Sequence, residues 1–373
     1  MTWSIKLGRI LGIDIKVHLT FLLILGWGAS IYGGEAGPLY GLLVTVALFV
    51  LVLLHELGHS VAAQWFGIKV KDIILLPIGG VARLERMPEK PWQELIVAVA
   101  GPAVNVLLFL LLLPVAVAVA ILQHTMLPGT LSVESITQPG ALGLIMFLLS
   151  ANVMLVLFNM LPVFPLDGGR VFRATLGFFM DYERATFIAV LIGRMVAVAL
   201  GLLGLVTYDF FLVLMALFVY TVGGQEGQSV ALRGILRKIP VERILARDRV
   251  ALTPNATVEE VASQIRQSGQ PNFAILDPNS HQLLGVTTSD DVAAAMANGQ
   301  WYRRVAEIMR HTHQIPKIAF HATLDEAQEK LGQASSRVGA VYEGWQFRGL
   351  IDLADISRAF RLLASPKARE IVG

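Results

Sequence analysis

Apolar residues fill long runs of the chain up to about residue 222, and from Gly223 onward they alternate with charged and polar residues. A helix needs about 20 mostly apolar residues to cross a bilayer. Six runs read as spans, near 17–35, 39–63, 94–122, 140–162, 184–206 and 208–223. Only TYD at 207–209 separates the last two, which predicts a helical hairpin. The segment IILLPIGGVARLE (73–85) is too short and too broken by Gly and Pro to span. It predicts a short hairpin dipping toward the membrane, with an edge suited to pairing with an extended peptide.

Beyond residue 240 the pattern repeats at an offset of about 64 residues. VERIL (241–245) matches VAEIM (305–309), and ATVEEVASQI (256–265) matches ATLDEAQEKL (322–331). The stretch from 272 to 296 matches that from 338 to 360, and each unit reads helix, strand, strand, helix.

Composition supports the same division. The 373 residues are 55% hydrophobic and only 16% charged, against about 25% charged in a soluble domain. The expected fold class is a multi-span α-helical membrane protein, with about six transmembrane helices, followed by a C-terminal α/β pair. The expected domains are a membrane body at 1–223, a linker at 224–239, repeats at 240–300 and 301–361, and a tail at 362–373. The N-terminus lacks a signal-peptide cleavage pattern and is expected to be retained.

Charge adds orientation. Lys6, Arg9 and Lys16, then Lys69 through Lys90, then Arg170, Arg173 and Arg184, then Arg233 through Lys238 flank alternate connections; the intervening ones carry no Lys or Arg. Positive flanks face the cytoplasm, so both termini and the repeat pair are expected there, in a multi-pass cell-membrane protein. The net charge of +2 and the lack of a basic block argue against a nucleic-acid partner. The chain has no cysteine, which excludes thiol chemistry.

Against this apolar background LVLLHELGHSVAAQWFG (51–67) stands out, because ionisable groups in hydrocarbon cost roughly 2.5–3.5 kcal/mol each on insertion scales. His55 and His59 are four apart and share a helix face. The spacing suits two imidazoles on one zinc, with Glu56 as general base. A hydrolytic zinc takes three protein ligands and keeps one position open. The candidate third ligand is Asp167 in FNMLPVFPLDGGRVFRATL (158–176). Its alternative role is to cap the following helix; beside a histidine pair the ligand reading is preferred.

These motifs resemble those of the site-2 protease family of intramembrane zinc metalloproteases. The family's H-E-x-x-H appears as His55–Glu56–Leu57–Gly58–His59, and its N-x-x-P-x-x-P-x-D-G as Asn159, Pro162, Pro165, Asp167 and Gly168. GGVARLE (79–85) and AGPAVN (100–105) also match, so the resemblance covers roughly 1–223. It implies one zinc (Zn2+) per chain held by His55, His59 and Asp167, a water activated by Glu56, and Asn159 near the site in orientation or oxyanion stabilisation. The implied partners are the lipid bilayer and a transmembrane protein substrate, which must unwind locally because its amides are hydrogen-bonded. Control is expected from the cytoplasm or from a regulatory membrane partner.

The repeats resemble cystathionine-β-synthase-type (CBS) domains, which pair and often bind adenine nucleotides. The first carries the G-x-x-[ST]-x-x-D signature as Gly285, Thr288 and Asp291. The second has Asp352 where the hydroxyl belongs, a carboxylate that would repel phosphate. Binding of ATP, ADP or AMP through Thr288 and Asp291, and use of the pair only for homodimerisation or packing, both remain open. Two other function classes compete with the protease: a catalytically silent membrane scaffold and a CBS-regulated transporter.

Overall fold

Leu11 and Gly12 both have positive φ (50° and 81°), the two-residue turn whose twist matches antiparallel strands. They close a hairpin of β1 (Ser4–Ile10) and β2 (Ile13–His18), paired through Ile10↔Ile13. The sequence IDIKVH alternates apolar and polar residues, a strand pattern. The span expected near 17–35 is therefore shortened to the 11-residue α1 (Phe21–Ile31), about 16 Å long at 1.5 Å per residue. The computed structural model describes residues 3–85, 87–88, 90–123, 140–245, 250–334 and 336–363. Most of the connection at 123–140 and, from 364 onward, the expected tail at 362–373 lie outside these.

Among the described residues five helices are long and apolar enough to cross a membrane: α2 (Pro38–Trp65), α3 (Pro91–Leu122), α4 (Ala141–Asn159), α6 (Tyr182–Val206) and α7 (Phe210–Leu236). The short α5 (Asp167–Gly177) lies between α4 and α6. Pro38 and Pro91 open α2 and α3, where a missing N–H leaves no intrahelical bond unmade. The α6–α7 turn at 207–209 is as tight as expected, with Tyr208 at φ 56°.

The expected hairpin after α2 is β3 (Val70–Leu76) and β4 (Gly79–Leu84). It belongs to a four-stranded sheet in the order β1-β2-β3-β4. β2 and β3 run parallel, and the two hairpins are antiparallel. Asp72 is buried at the centre of this sheet, with Lys16 Nζ 2.5 Å away on β2 and both Arg83 donors at 2.5 Å on β4.

The chain divides into two compact units, Met1–Gln228 and Ser229–Gly373. The stretch expected as a linker at 224–239 is helical through Leu236, the end of α7. In the second unit, β5 (Ala251–Leu252), α8 (Val258–Ser268), β6 (Asn272–Leu276), β7 (Leu283–Thr288) and α9 (Ser289–Ala297) form the first repeat. β8 (Arg310–His311) pairs with β7. The second repeat comprises β9 (Lys317–Ala319), α10 (Leu324–Gln333), β10 (Val338–Glu343), β11 (Gln346–Asp352) and α11 (Leu353–Leu363). Both keep the helix–strand–strand–helix order read from the sequence, and Ala274, Val286, Ala340 and Leu350 pack between them.

Candidate active site

One turn separates His55 from His59 on the buried face of α2. Their Nε2 atoms are 3.1 Å apart, and Asp167 Oδ2 lies 3.2 Å from the first and 3.0 Å from the second. The cap position of α5 is Leu166, so Asp167 is its first helical residue. Its carboxylate faces the histidines. Tetrahedral ligands about 2.0–2.1 Å from zinc are themselves about 3.3 Å apart. The three donor atoms match that spacing closely, so this buried group could hold a metal ion.

Helix α3 supports both rings. His59 Nδ1 donates to Val97 O at 2.7 Å; a carbonyl only accepts, so that nitrogen carries the proton and Nε2 keeps its lone pair. For His55 the logic runs through two buried amides. Asn152 Nδ2 donates to Leu148 O at 2.8 Å, which turns Asn152 Oδ1 to accept from Asn105 Nδ2 at 2.8 Å. Asn105 Oδ1 is then left facing His55 Nδ1 at 2.5 Å. Such outer partners fix tautomer and ring orientation. Gly101 lets α3 approach this closely: a Cβ there would sit 2.2 Å from His59 Nε2.

Glu56 points elsewhere. Its Oε2 accepts from Ala82 N at 3.2 Å, on β4, which forms the edge of its sheet. A Cβ at Gly80 would lie 2.6 Å from Glu56 Cγ, so the glycine lets strand and glutamate meet. Asn159 is half-buried at the end of α4, and its amide donates to Leu155 O of its own helix at 2.9 Å. No described bond joins it to the three donors. Arg194 on α6 lies over the Tyr220 ring of α7, 5.4 Å from the centroid.

The sequence reading singled out AGPAVN without a role for Asn105, and it missed Asn152. The available signal was an uncharged amide in the middle of each apolar run, expensive there unless bonded.

In the second unit Thr288 and Asp291 meet as an N-terminal capping box of α9, with Thr288 Oγ1 donating to Asp291 Oδ2 at 2.7 Å. Arg310, absent from the sequence reading, binds Asp291 Oδ1 at 2.9 Å. In the second repeat the buried Asp352 accepts from Asn272 Nδ2 at 2.5 Å and from Asp355 N at 2.7 Å.

Residues 43–202 match the model of peptidase family M50, and 241–298 match that of the CBS domain. A zinc metalloprotease of Methanocaldococcus jannaschii is 31% identical over 368 residues, covering 97% of this chain and 98% of the relative. The chain belongs to the M50 (site-2 protease) family. This M50 protein is a membrane-embedded zinc metalloprotease with a C-terminal CBS pair, which removes the transporter and silent-scaffold classes. A Synechocystis protein, provisionally named a zinc metalloprotease, is 28% identical over 386 residues, 98% of this chain and 97% of its own. A solved site-2 protease from M. jannaschii is 36% identical, covers 60% of this chain and 95% of its own, and superposes with a TM-score of 0.44.

Proposed function

We propose that this M50 protein cleaves peptide bonds within or near transmembrane segments of membrane-held proteins, with His55, His59 and Asp167 as zinc ligands and Glu56 as general base. The observation that carries the reading is the neighbourhood of Glu56, next in sequence to one donor and bonded to Ala82 N on a sheet edge. An extended substrate strand added to β4 would run past the base, and main-chain pairing would hold it unwound. Zinc, when bound, supplies Lewis-acid polarisation of a carbonyl and a water that ionises near neutral pH. Glu56, with Oε2 held by Ala82 N, would take a proton from the attacking water and pass it to the leaving amine. A part for Asn159 in oxyanion stabilisation requires its amide to leave Leu155 O when substrate binds.

The roles separate in a simple experiment. His55→Ala, His59→Ala and Asp167→Ala should lose zinc, whereas Glu56→Gln should keep zinc and lose cleavage of a membrane-embedded peptide. Stoichiometric zinc with intact cleavage in Asp167→Ala would overturn the ligand set.

For the CBS pair we propose cytoplasmic control by an adenine nucleotide at Thr288 and Asp291, at the start of α9, where backbone amides favour phosphate. Asp352, held by Asn272, leaves the second repeat without a phosphate site, so stoichiometry should be nearer one nucleotide per chain than two. Calorimetry of the full-length protein with ATP, ADP and AMP tests this, with Asp291→Ala expected to weaken binding by ~1–3 kcal/mol. No heat with any nucleotide would leave the pair as a packing or dimerising module.

A further inference from the structure

Arg173, six residues beyond Asp167 on α5, is fully buried, with 0% of its surface exposed. Its Nε donates to Glu94 Oε1 at 2.8 Å, its Nη2 bonds the same oxygen, and its Nη1 donates to Glu226 Oε1 on α7 at 2.8 Å. The guanidinium also lies over two rings, 4.9 Å from the centroid of Phe164 and 4.8 Å from that of Tyr182. Phe164 belongs to the loop that delivers Asp167, and Tyr182 opens α6. A cation buried to this degree needs partners on every side, and here they come from the loop and from three helices.

The position of Glu94 gives the network a use. Glu94, Val97, Gly101 and Asn105 are spaced 3, 4 and 4 residues apart along α3, so they share one face of the helix. That face holds the carboxylate for Arg173, the carbonyl for His59, the close approach to both rings and the amide for His55. We infer that Arg173 is a positioning residue for the metal site: through Glu94 it registers the Asp167 helix on the same face of α3 that orients both histidines. Two donors on α2 and the third on α5 would otherwise be set independently. One rigid helix face aligns all three.

The inference rests on the zinc reading above, and the test separates the two. Zinc affinity of the full-length protein is measured by chelator competition, with the d–d spectrum of the cobalt-substituted protein and thermal unfolding of the metal-free protein alongside. Arg173→Met should lower zinc affinity by about 10–100-fold, as expected for an outer partner of a ligand, change the cobalt spectrum and lower kcat more than it changes KM. Arg173→Lys, which keeps the charge and loses the fork, should recover part of the affinity. Should Arg173→Met fail to fold, Glu226→Gln, at a less buried position, should still weaken zinc several-fold. Wild-type zinc affinity and cobalt spectrum in the folded fraction of these variants, with only stability reduced, would overturn the inference. Absence of zinc binding by the wild-type protein would instead overturn the metal reading.

Discussion

Asn105 Oδ1 sits 2.5 Å from His55 Nδ1, and the orientation of that amide is fixed at second hand by a backbone carbonyl, Leu148 O, through Asn152. The imidazole is thereby held as an Nδ1–H tautomer with Nε2 directed at the other donors. Replacing Asn105 by Leu should keep the packing volume and lose the orientation. Zinc affinity, read by chelator competition, should fall by about 10–100-fold. Asn152→Leu should act in the same direction and more weakly, because Asn105 can then rotate.

Gly101→Ala should abolish zinc retention and cleavage. The added methyl carbon would stand 2.2 Å from His59 Nε2 and 2.8 Å from His55 Nε2, closer than a Cβ carbon approaches a non-bonded atom. Gly26→Ala, where a Cβ meets nothing within 4 Å, should leave zinc content and activity unchanged. Metal analysis of the two purified variants makes the comparison.

The sheet beside the site should have its own acid sensitivity. The Arg83 hydrogen bonds beside Asp72, with Lys16 adding to them against the opposing effect of burial, hold its carboxyl at about 2, below the ordinary value of 3.8. A depressed carboxyl stabilises the fold fully above the unfolded value and loses that contribution as pH falls toward the folded one. The loss should therefore run from about pH 3.8 down to about pH 2. Thermal unfolding of wild-type protein and Asp72→Asn across this window should differ at its upper end and converge at its lower end.

Both termini should be cytoplasmic, because β2 pairs with β3 beyond the C-terminal end of α2 and the chain must pass through α1 to the opposite end of α2 at Pro38, a sixth crossing beside the five long helices. The native chain has no cysteine, so single cysteines placed at Ser280 and at Glu134 can be labelled with an impermeant reagent in intact cells. Label at Glu134 and none at Ser280 is expected from the positive flanks. The reverse pattern would invert the topology.

The hydrophobic pattern located α2, α3, α4, α6 and α7 to within a few residues, except the C-terminal end of α7, because an apolar run of bilayer length has few other folded forms. It overran at 17–35, where strand alternation in IDIKVH takes the start of an apolar run that is itself short. Pairing of β2 with β3 decides that contest, between partners 58 residues apart that local pattern does not connect.

His55, Glu56 and His59 were legible because helical spacing fixes their relation within one element, and Asp167 because its Pro/Gly setting is unusual after a span. The environment that makes them a site was not. That Asn105 faces His55, that Gly101 admits α3, that Ala82 N bonds Glu56 and that Arg173 meets the same face of α3 as both histidines are relations between residues 26 to 79 positions apart. Spacing along a chain determines which side chains share an element. Which elements touch is decided by close packing in three dimensions, and only the tertiary structure holds that.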